Sequence, residues 1–315
     1  MQKLFGKKLI LANPRGFCAG VQRAIDIVNR AVTLFGDPIY VKHEVVHNKY
    51  VIEKLKQKGV IFIEDIDDVP KNSIIIFSAH GVSTEVKEKS EKRGLKIFDA
   101  TCPLVTKVHL EVHKYASENR DVILIGHKNH PEIEGTMGQF KSKSGKIHLV
   151  ENEAGVEKIN ITNEKIAYVT QTTLSVDDTK NIIKKIKIKF PNIVGPAKDD
   201  ICYATQNRQD AVKSILEFCD CLIVVGSINS SNSKRLTELA KKQNIVSYLV
   251  DNKNDIDVDK ICQKNTIGIT AGASAPEILI NEIVEFLENH GASISHSKER
   301  IIEEDITFSL PRELR

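Results

Sequence analysis

The chain has 315 residues, a formal net charge of +3 at pH 7, 41% hydrophobic and 28% charged residues, six cysteines and no tryptophan. That length admits two or three domains, and the composition is that of a globular protein. So small a charge argues against nucleic acid or a membrane surface as a partner. No apolar run approaches the ~20 residues that span a bilayer. The start, MQKLFGKKLILANP, has too short an apolar run for a secretory signal. A cytoplasmic protein is expected, without nucleic-acid or membrane partners. Six cysteines in such a chain point to metal binding or catalysis before disulfides.

In chain order, the strand KLILA leads into NPRGFC (Cys18) and the helix VQRAIDIVNRAV. The strand PIYVKH then precedes a loop with His43, Glu44 and His47, and a helix follows through NKYVIEKLKQKG. After the strand VIFIED, SIIIFSAHG ends in Ser78 and His80. The helix STEVKEKSEKRG has Gly94 as its stop. KIFDAT leads into Cys102, where Pro103 suits a first helical turn.

The second third repeats the plan. A helix through LVTKVHLEVHKYASEN precedes the strand VILIGH and the polar loop KNHPEIEGTMGQ, with His130 and Glu132. The strands KIHLVEN and KIAYVTQTT, the latter ending in Gln171, Thr172 and Thr173, are followed by the helix SVDDTKNIIKKIKIKF and the turn at Cys202. In the last third come the helix TQNRQDAVKSILEF, the strand CLIVVGS and the loop INSSNS with Ser230, Ser231 and Asn232. The helix KRLTELAKKQ, the strands VSYLVDN and TIGITAG (near Ser274) and the helix PEILINEIVEFLENHG complete it. Cys18 to His47 is 29 residues, and Cys102 to His130 and Cys202 to Ser230 are 28 each. The chain thus reads as an α/β unit written three times, with mainly parallel sheets. The units expected are 1–101, 102–199 and 200–296, with a surface tail, 297–315, packing on the first.

Parallel sheets bind ligands beyond the carboxyl ends of their strands, where the three cysteines and polar loops fall. A cysteine at a helix start is favoured as thiolate. A Cys₃ zinc site is compatible with three such thiols, but a [4Fe–4S] cluster gripped by three separate units fits better, leaving one iron open. Cys219, Cys221 and Cys262 lack a polar motif and read as structural. His47, His80 and His130, with Ser230, Asn232 and Ser274, form a donor set suited to phosphate oxygens. His43, His109, His113, His127 and His148 read as structural hydrogen-bond partners, and His290 and His296 as surface residues. Glu132, on the loop after His130, is a candidate proton source. Neither a Walker A nor a strand-linked G-x-G-x-x-G is present, so no nucleotide is indicated.

The segments NPRGFCAGV, HEVVHNKYV, SAHGVS, DATCPLVTKVH, GHKNHPEIEGTMGQ, VTQTTLSVDDT, DICYATQNRQ, VVGSINSSNSKRL and GITAGASAPE resemble those of the 4-hydroxy-3-methylbut-2-enyl diphosphate reductases of the non-mevalonate isoprenoid pathway. They run from Asn13 to Glu277. The resemblance implies a pseudo-threefold trefoil of three α/β domains around a central iron–sulfur cluster. It implies reductive dehydroxylation of an allylic diphosphate to isopentenyl and dimethylallyl diphosphates, with electrons from a carrier such as ferredoxin or flavodoxin. By motif, Cys18, Cys102 and Cys202 would hold the [4Fe–4S] cluster. His47, His80, Ser230, Asn232 and Ser274 would hold the diphosphate, with His130 and Ser231 lining the pocket. Glu132 would deliver the proton, and Thr172 would orient the substrate hydroxyl. Gln22 stands where an acidic residue is expected, on a helix and not as a ligand. A hydratase resembling aconitase, a cluster-bearing redox sensor and a zinc hydrolase are the rival classes.

Overall fold

A computed structural model describes residues 3–295 and 303–315; His296 and residues 297–302 of the expected tail lie outside them. β1 (Lys8–Leu11) runs into the Cys18 turn and α1 (Ala19–Phe35). Next come β2 (Ile39–Lys42), α2 (Lys49–Lys56), β3 (Val60–Ile63), β4 (Ile74–Phe77), α3 (Thr84–Lys92) and β5 (Lys96–Asp99), which ends just before Cys102. From there run α4 (Pro103–Ser117), β6 (Asp121–Ile125), α5 (Pro131–Met137), β7 (Ile147–Val150), α6 (Glu153–Lys158), β8 (Ile166–Thr170) and α7 (Val176–Lys189). After Cys202 follow α8 (Tyr203–Leu216), β9 (Cys221–Val225), α9 (Ser231–Lys242), β10 (Val246–Val250), α10 (Val258–Ile261), β11 (Thr266–Ala271), α11 (Glu277–Asn289) and β12 (Ser293–Ile294).

The chain divides into two compact units. One comprises Met1–Ala19, His47–Glu53 and Tyr203–Ile306. It holds a five-stranded sheet of order β10-β9-β11-β1-β12. The other comprises Gly20–Val46, Lys54–Cys202 and Thr307–Arg315. It holds two sheets, of order β3-β2-β4-β5 and β7-β6-β8. Every named strand pair is parallel. The sequence is thus an α/β protein with three parallel sheets, as the alternation of elements requires.

The sheets share one plan. In each, the strand after the cysteine helix is central (β2, β6, β9), flanked by the next strand (β3, β7, β10) and the one after it (β4, β8, β11). Beyond β4 lies β5, which leads to Cys102. Beyond β8 the same place is taken by a single parallel bridge, Ala167 to Val194, on the way to Cys202. Beyond β11 it is taken by β1, which leads to Cys18, so the chain's own next strand, β12, pairs on the far side of β1.

Both faces of the central strands are covered, which is why they read as unbroken apolar runs. In β9, Cys221, Ile223 and Val225 enter one core, while Leu222 and Val224 enter another. In β6, Ile123 and Ile125 alternate with Val122 and Leu124 in the same way. Each such side chain contributes about 1.5–3 kcal/mol by burial. Cys221 is part of this packing, its thiol pushed up to about 11 by burial. Cys219 is buried too, and Cys262 caps α10. Gly94 ends α3 at a φ of +69°, as its sequence position implies. In the tail, Leu314 is buried, and α1 holds its end through Arg23 to the Ser309 carbonyl (2.9 Å) and Arg30 to that of Leu314 (3.2 Å).

Candidate active site

Cys18, Cys102 and Cys202 are partly buried thiols outside any disulfide, each immediately before the first residue of a helix. Their backbone N–H groups make one equivalent bond. Cys18 donates to Ala273 O (3.2 Å), Cys102 to Ala79 O (3.0 Å) and Cys202 to Thr172 O (3.0 Å). Each acceptor lies two residues beyond the end of β11, β4 or β8. The N–H of that same residue reaches the segment that follows the central strand. Ala79 donates to Val45 O (3.1 Å), Thr172 to Glu132 Oε1 (2.6 Å) and Ala273 to Asn232 Oδ1 (2.9 Å). One residue thus ties a cysteine turn to the segment after the central strand three times over, and Glu132 and Asn232 hold matching places. Among the described residues, no three His, Cys, Asp or Glu side chains are grouped as ligands of a single metal ion.

In the second unit, Glu132 is buried and lies in the first turn of α5, not on a loop. The stretch expected as a loop is a short helix because Pro131 fixes its first turn and His130 caps it through Nδ1, which accepts from the Glu132 N–H (3.2 Å). A neutral His130 therefore carries its proton on Nε2. Its ring meets that of His80 edge-on, with centroids 5.7 Å apart. The His80 Nδ1 lies 3.3 Å from Ser78 Oγ. Thr172 Oγ1 donates to Glu132 Oε2 (2.9 Å). Burial lifts the Glu132 carboxyl to about 7, although both bonds from Thr172 pull it down. Oε1 faces an N–H that can only donate, so a proton on Glu132 sits on Oε2, facing a hydroxyl that can accept it.

In the first unit, α9 begins three residues before the expected KRLTELAKKQ. Ser230 is its N-cap, and Ser231 and Asn232 are in its first turn. Ser230 Oγ accepts from both the N–H (3.3 Å) and Oγ (3.0 Å) of Ser233. With both lone pairs used, its own hydrogen is left to donate elsewhere. Asn232 also donates to Thr205 Oγ1 (3.3 Å), keeping a second N–H. Ser274 donates to the His47 carbonyl (2.9 Å), and Asn229 Nδ2 lies 3.4 Å from His47 Nδ1. The structure therefore gathers His80, His130, Glu132, Thr172, Cys102 and Cys202 in one unit, and Cys18, His47, Ser230, Ser231, Asn232 and Ser274 in the other.

Of the histidines read as structural, His43 pairs with Glu64, His148 with Asp121 (2.8 Å) and His113 with Gln139 (2.8 Å). His109 differs. Burial lowers it to about 4, and its Nε2 has no hydrogen-bond partner among the described residues.

Ser233 escaped the sequence reading, although the serine run around Ser230 was its signal. It fits only because Gly226 and Gly272 lack side chains. A Cβ on Gly272 would lie 2.0 Å from Ser233 Oγ, and one on Gly226 2.2 Å from it. Gly272→Ala should therefore cost about 1–3 kcal/mol of stability in a urea melt, as overpacking does. Adding Ser233→Ala, which removes the clashing oxygen, should recover part of that loss.

The family model described as LytB protein matches residues 9–288. The 4-hydroxy-3-methylbut-2-enyl diphosphate reductase of Acinetobacter baumannii is 59% identical over 310 residues, 98% of each chain. That of Methylococcus capsulatus is 55% identical over 309 residues, again 98% of each. The solved structure of the E-1-hydroxy-2-methyl-but-2-enyl-4-diphosphate reductase from Plasmodium falciparum superposes with a TM-score of 0.91 at 44% identity, over 98% of this chain and 96% of that one. A second, of (E)-4-hydroxy-3-methyl-but-2-enyl diphosphate reductase, gives 0.63 at 29% identity, over 90% and 99%. A family match over nearly the whole length, with relatives this similar from end to end, makes the chain an enzyme, an oxidoreductase, and a member of the LytB family of 4-hydroxy-3-methylbut-2-enyl diphosphate reductases.

Proposed function

We propose that the chain reduces (E)-4-hydroxy-3-methylbut-2-enyl diphosphate to isopentenyl and dimethylallyl diphosphates. Two electrons and two protons enter. The allylic C–O bond breaks, its oxygen leaves as water, and the remaining proton goes to carbon at one or other end of the allylic system. The observation that carries this reading is the buried Glu132–Thr172 pair, an acid near neutrality against a hydroxyl that can pass on its proton.

The cofactor proposed is a [4Fe–4S] cluster held by Cys18, Cys102 and Cys202. The donor set suits it, being three partly buried thiols outside any disulfide at equivalent helix starts. When bound, it would supply the electrons and an iron without a protein ligand that acts as a Lewis acid. The chain's own residues do the rest. His47, His80, Ser230, Asn232 and Ser274 would hold the diphosphate, with His130 and Ser231 beside them. Support for this comes from the Ser230 hydrogen left to donate and from the His130 proton on Nε2. Thr172 would orient the substrate hydroxyl and hand it the Glu132 proton. In this reading the three units form a trefoil about the cluster, and a ferredoxin or flavodoxin supplies the electrons.

The pH dependence of turnover tests the acid. Glu132 is mostly protonated below about 7 and loses that proton above it. With the diphosphate substrate and a chemical reductant, kcat should fall as pH rises through about 7. The residual activity of Glu132→Gln should lack that limb. A limb that survives the substitution would assign it to another group.

A further inference from the structure

Three cations outside the residues assigned above make one repeated contact. Arg23, on the helix that begins after Cys18, donates to the carbonyls of Thr101 (3.1 Å) and Asp99 (3.4 Å), in the turn of Cys102. Lys107, on the helix that begins after Cys102, donates to the carbonyls of Lys198 (2.6 Å) and Asp199 (3.2 Å) and to the Asp200 carboxylate (3.0 Å), in the turn of Cys202. Arg208, on the helix that begins after Cys202, donates to the carbonyls of Gly16 (2.9 and 2.7 Å) and Phe17 (3.2 Å), in the turn of Cys18. The contacts pass from each cysteine's helix to the next cysteine's turn and close on the first.

We propose that Arg23, Lys107 and Arg208 are positioning residues that latch the three cysteine turns, each fixing the cysteine next in the cycle. The proposal rests on reading Cys18, Cys102 and Cys202 as the ligand set. Peptide carbonyls in a turn cannot bond one another, and charged donors bind them more strongly than neutral ones. The clearest case is Arg208, which is fully buried. Burying a cation is costly unless it is fully bonded. Its fork divides between the Cys18 turn, the Ala204 carbonyl (2.9 Å) and the Glu304 carboxylate (3.0 and 3.2 Å). Packing alone would be served by an apolar side chain. The carbonyls of the turn are what require the guanidinium. Lys107 has an equally specific partner, since the buried Asp200 also accepts the Thr170 N–H (2.9 Å) at the end of β8. The Arg23 guanidinium lies within electrostatic range of the Cys102 sulfur.

The test uses full-length Lys107→Met and Arg23→Met, because both side chains are partly exposed and their loss leaves the core packed. Lys107→Arg and Arg23→Lys are the conservative partners. Peptide-resolved hydrogen exchange is measured on the metal-free chain. Loss of the cluster's visible absorbance to EDTA is measured after anaerobic reconstitution. Lys107→Met should raise exchange about tenfold across 198–202 and leave 101–106 as in the parent, the size expected for losing charge-assisted bonds. Arg23→Met should do the same across 99–102 and leave 16–20 unchanged. Each should release the cluster about tenfold faster, with KM for the diphosphate unchanged, and the conservative variants should restore much of the difference. Exchange raised instead at the variant's own helix start, or release unchanged, overturns the latches. If the parent chain takes up no iron and sulfide at all, it is the ligand assignment that has failed, and the exchange pattern alone decides the latches.

Discussion

Cys102→Ser is expected to leave no detectable turnover and no visible iron–sulfur absorbance, whereas Cys219→Ser and Cys262→Ser keep both. A serine hydroxyl is a hard donor that does not ionise near neutrality, so it cannot replace a soft thiolate on iron. The backbone of the turn should survive the change, because the bond from residue 102 to Ala79 O is a main-chain one. Cys18→Ser and Cys202→Ser should behave alike for the same reason. Cys219 is buried in an apolar core beside the five-stranded sheet, so a hydroxyl there costs about 1–3 kcal/mol of stability. The Cys262 thiol donates to Asp259 O (3.1 Å) at the end of its short helix. Iron and sulfide analysis of the anaerobically reconstituted proteins, beside their spectra, checks the set. Iron lost as completely from Cys219→Ser as from Cys102→Ser would show that the wrong thiols had been chosen.

Glu132→Gln is expected to lower kcat by about 10²–10⁴-fold, the usual contribution of general acid catalysis, with KM little changed. The fold itself argues that the carboxylate is not there for structure. At the matching place Asn232 accepts the Ala273 N–H with a carboxamide, as Glu132 accepts that of Thr172 with a carboxylate. An amide therefore satisfies this peptide, and a glutamine at 132 can do so too. What glutamine cannot do is give a proton to Thr172 Oγ1 and on to the departing hydroxyl. Diphosphate binding should be spared, since it is assigned to His47, His80, Ser230, Asn232 and Ser274. His47→Ala and His80→Ala should show the opposite pattern, with KM raised more than kcat is lowered. Steady-state kinetics of the three variants with a chemical reductant separates these roles. A Glu132→Gln enzyme with near-normal kcat and a raised KM would make Glu132 part of the pocket wall.

Much of this was legible in the sequence because the signals were local. A strand, a short turn and a cysteine before a helix marked the turns of Cys18 and Cys102, a polar turn before a helix marked that of Cys202, and Pro103 and Gly94 set a helix start and stop where they were expected. The apolar runs at β6 and β9 carried the mark of sheets buried on both faces. Other features depended on distant partners. β1 is four residues long, and no local pattern says that it pairs with β11, more than 250 residues later. The first turns of α5 and α9 read as loops because Glu132, Ser231 and Asn232 are polar, and their burial comes only with the packing of the sheets beneath them. No local motif in the sequence marks Arg23, Lys107 or Arg208. Only the folded chain brings them to the turns they bond.

The most direct measurement is product analysis. The anaerobically reconstituted protein is incubated with (E)-4-hydroxy-3-methylbut-2-enyl diphosphate and a one-electron chemical reductant of known concentration, and the products are separated and weighed by mass spectrometry. The expected result is a mixture of isopentenyl and dimethylallyl diphosphates, each lighter than the substrate by one oxygen, with two electrons consumed per molecule formed. A hydrated product formed without electron consumption, or an unchanged substrate beside a fully loaded cluster, would contradict it.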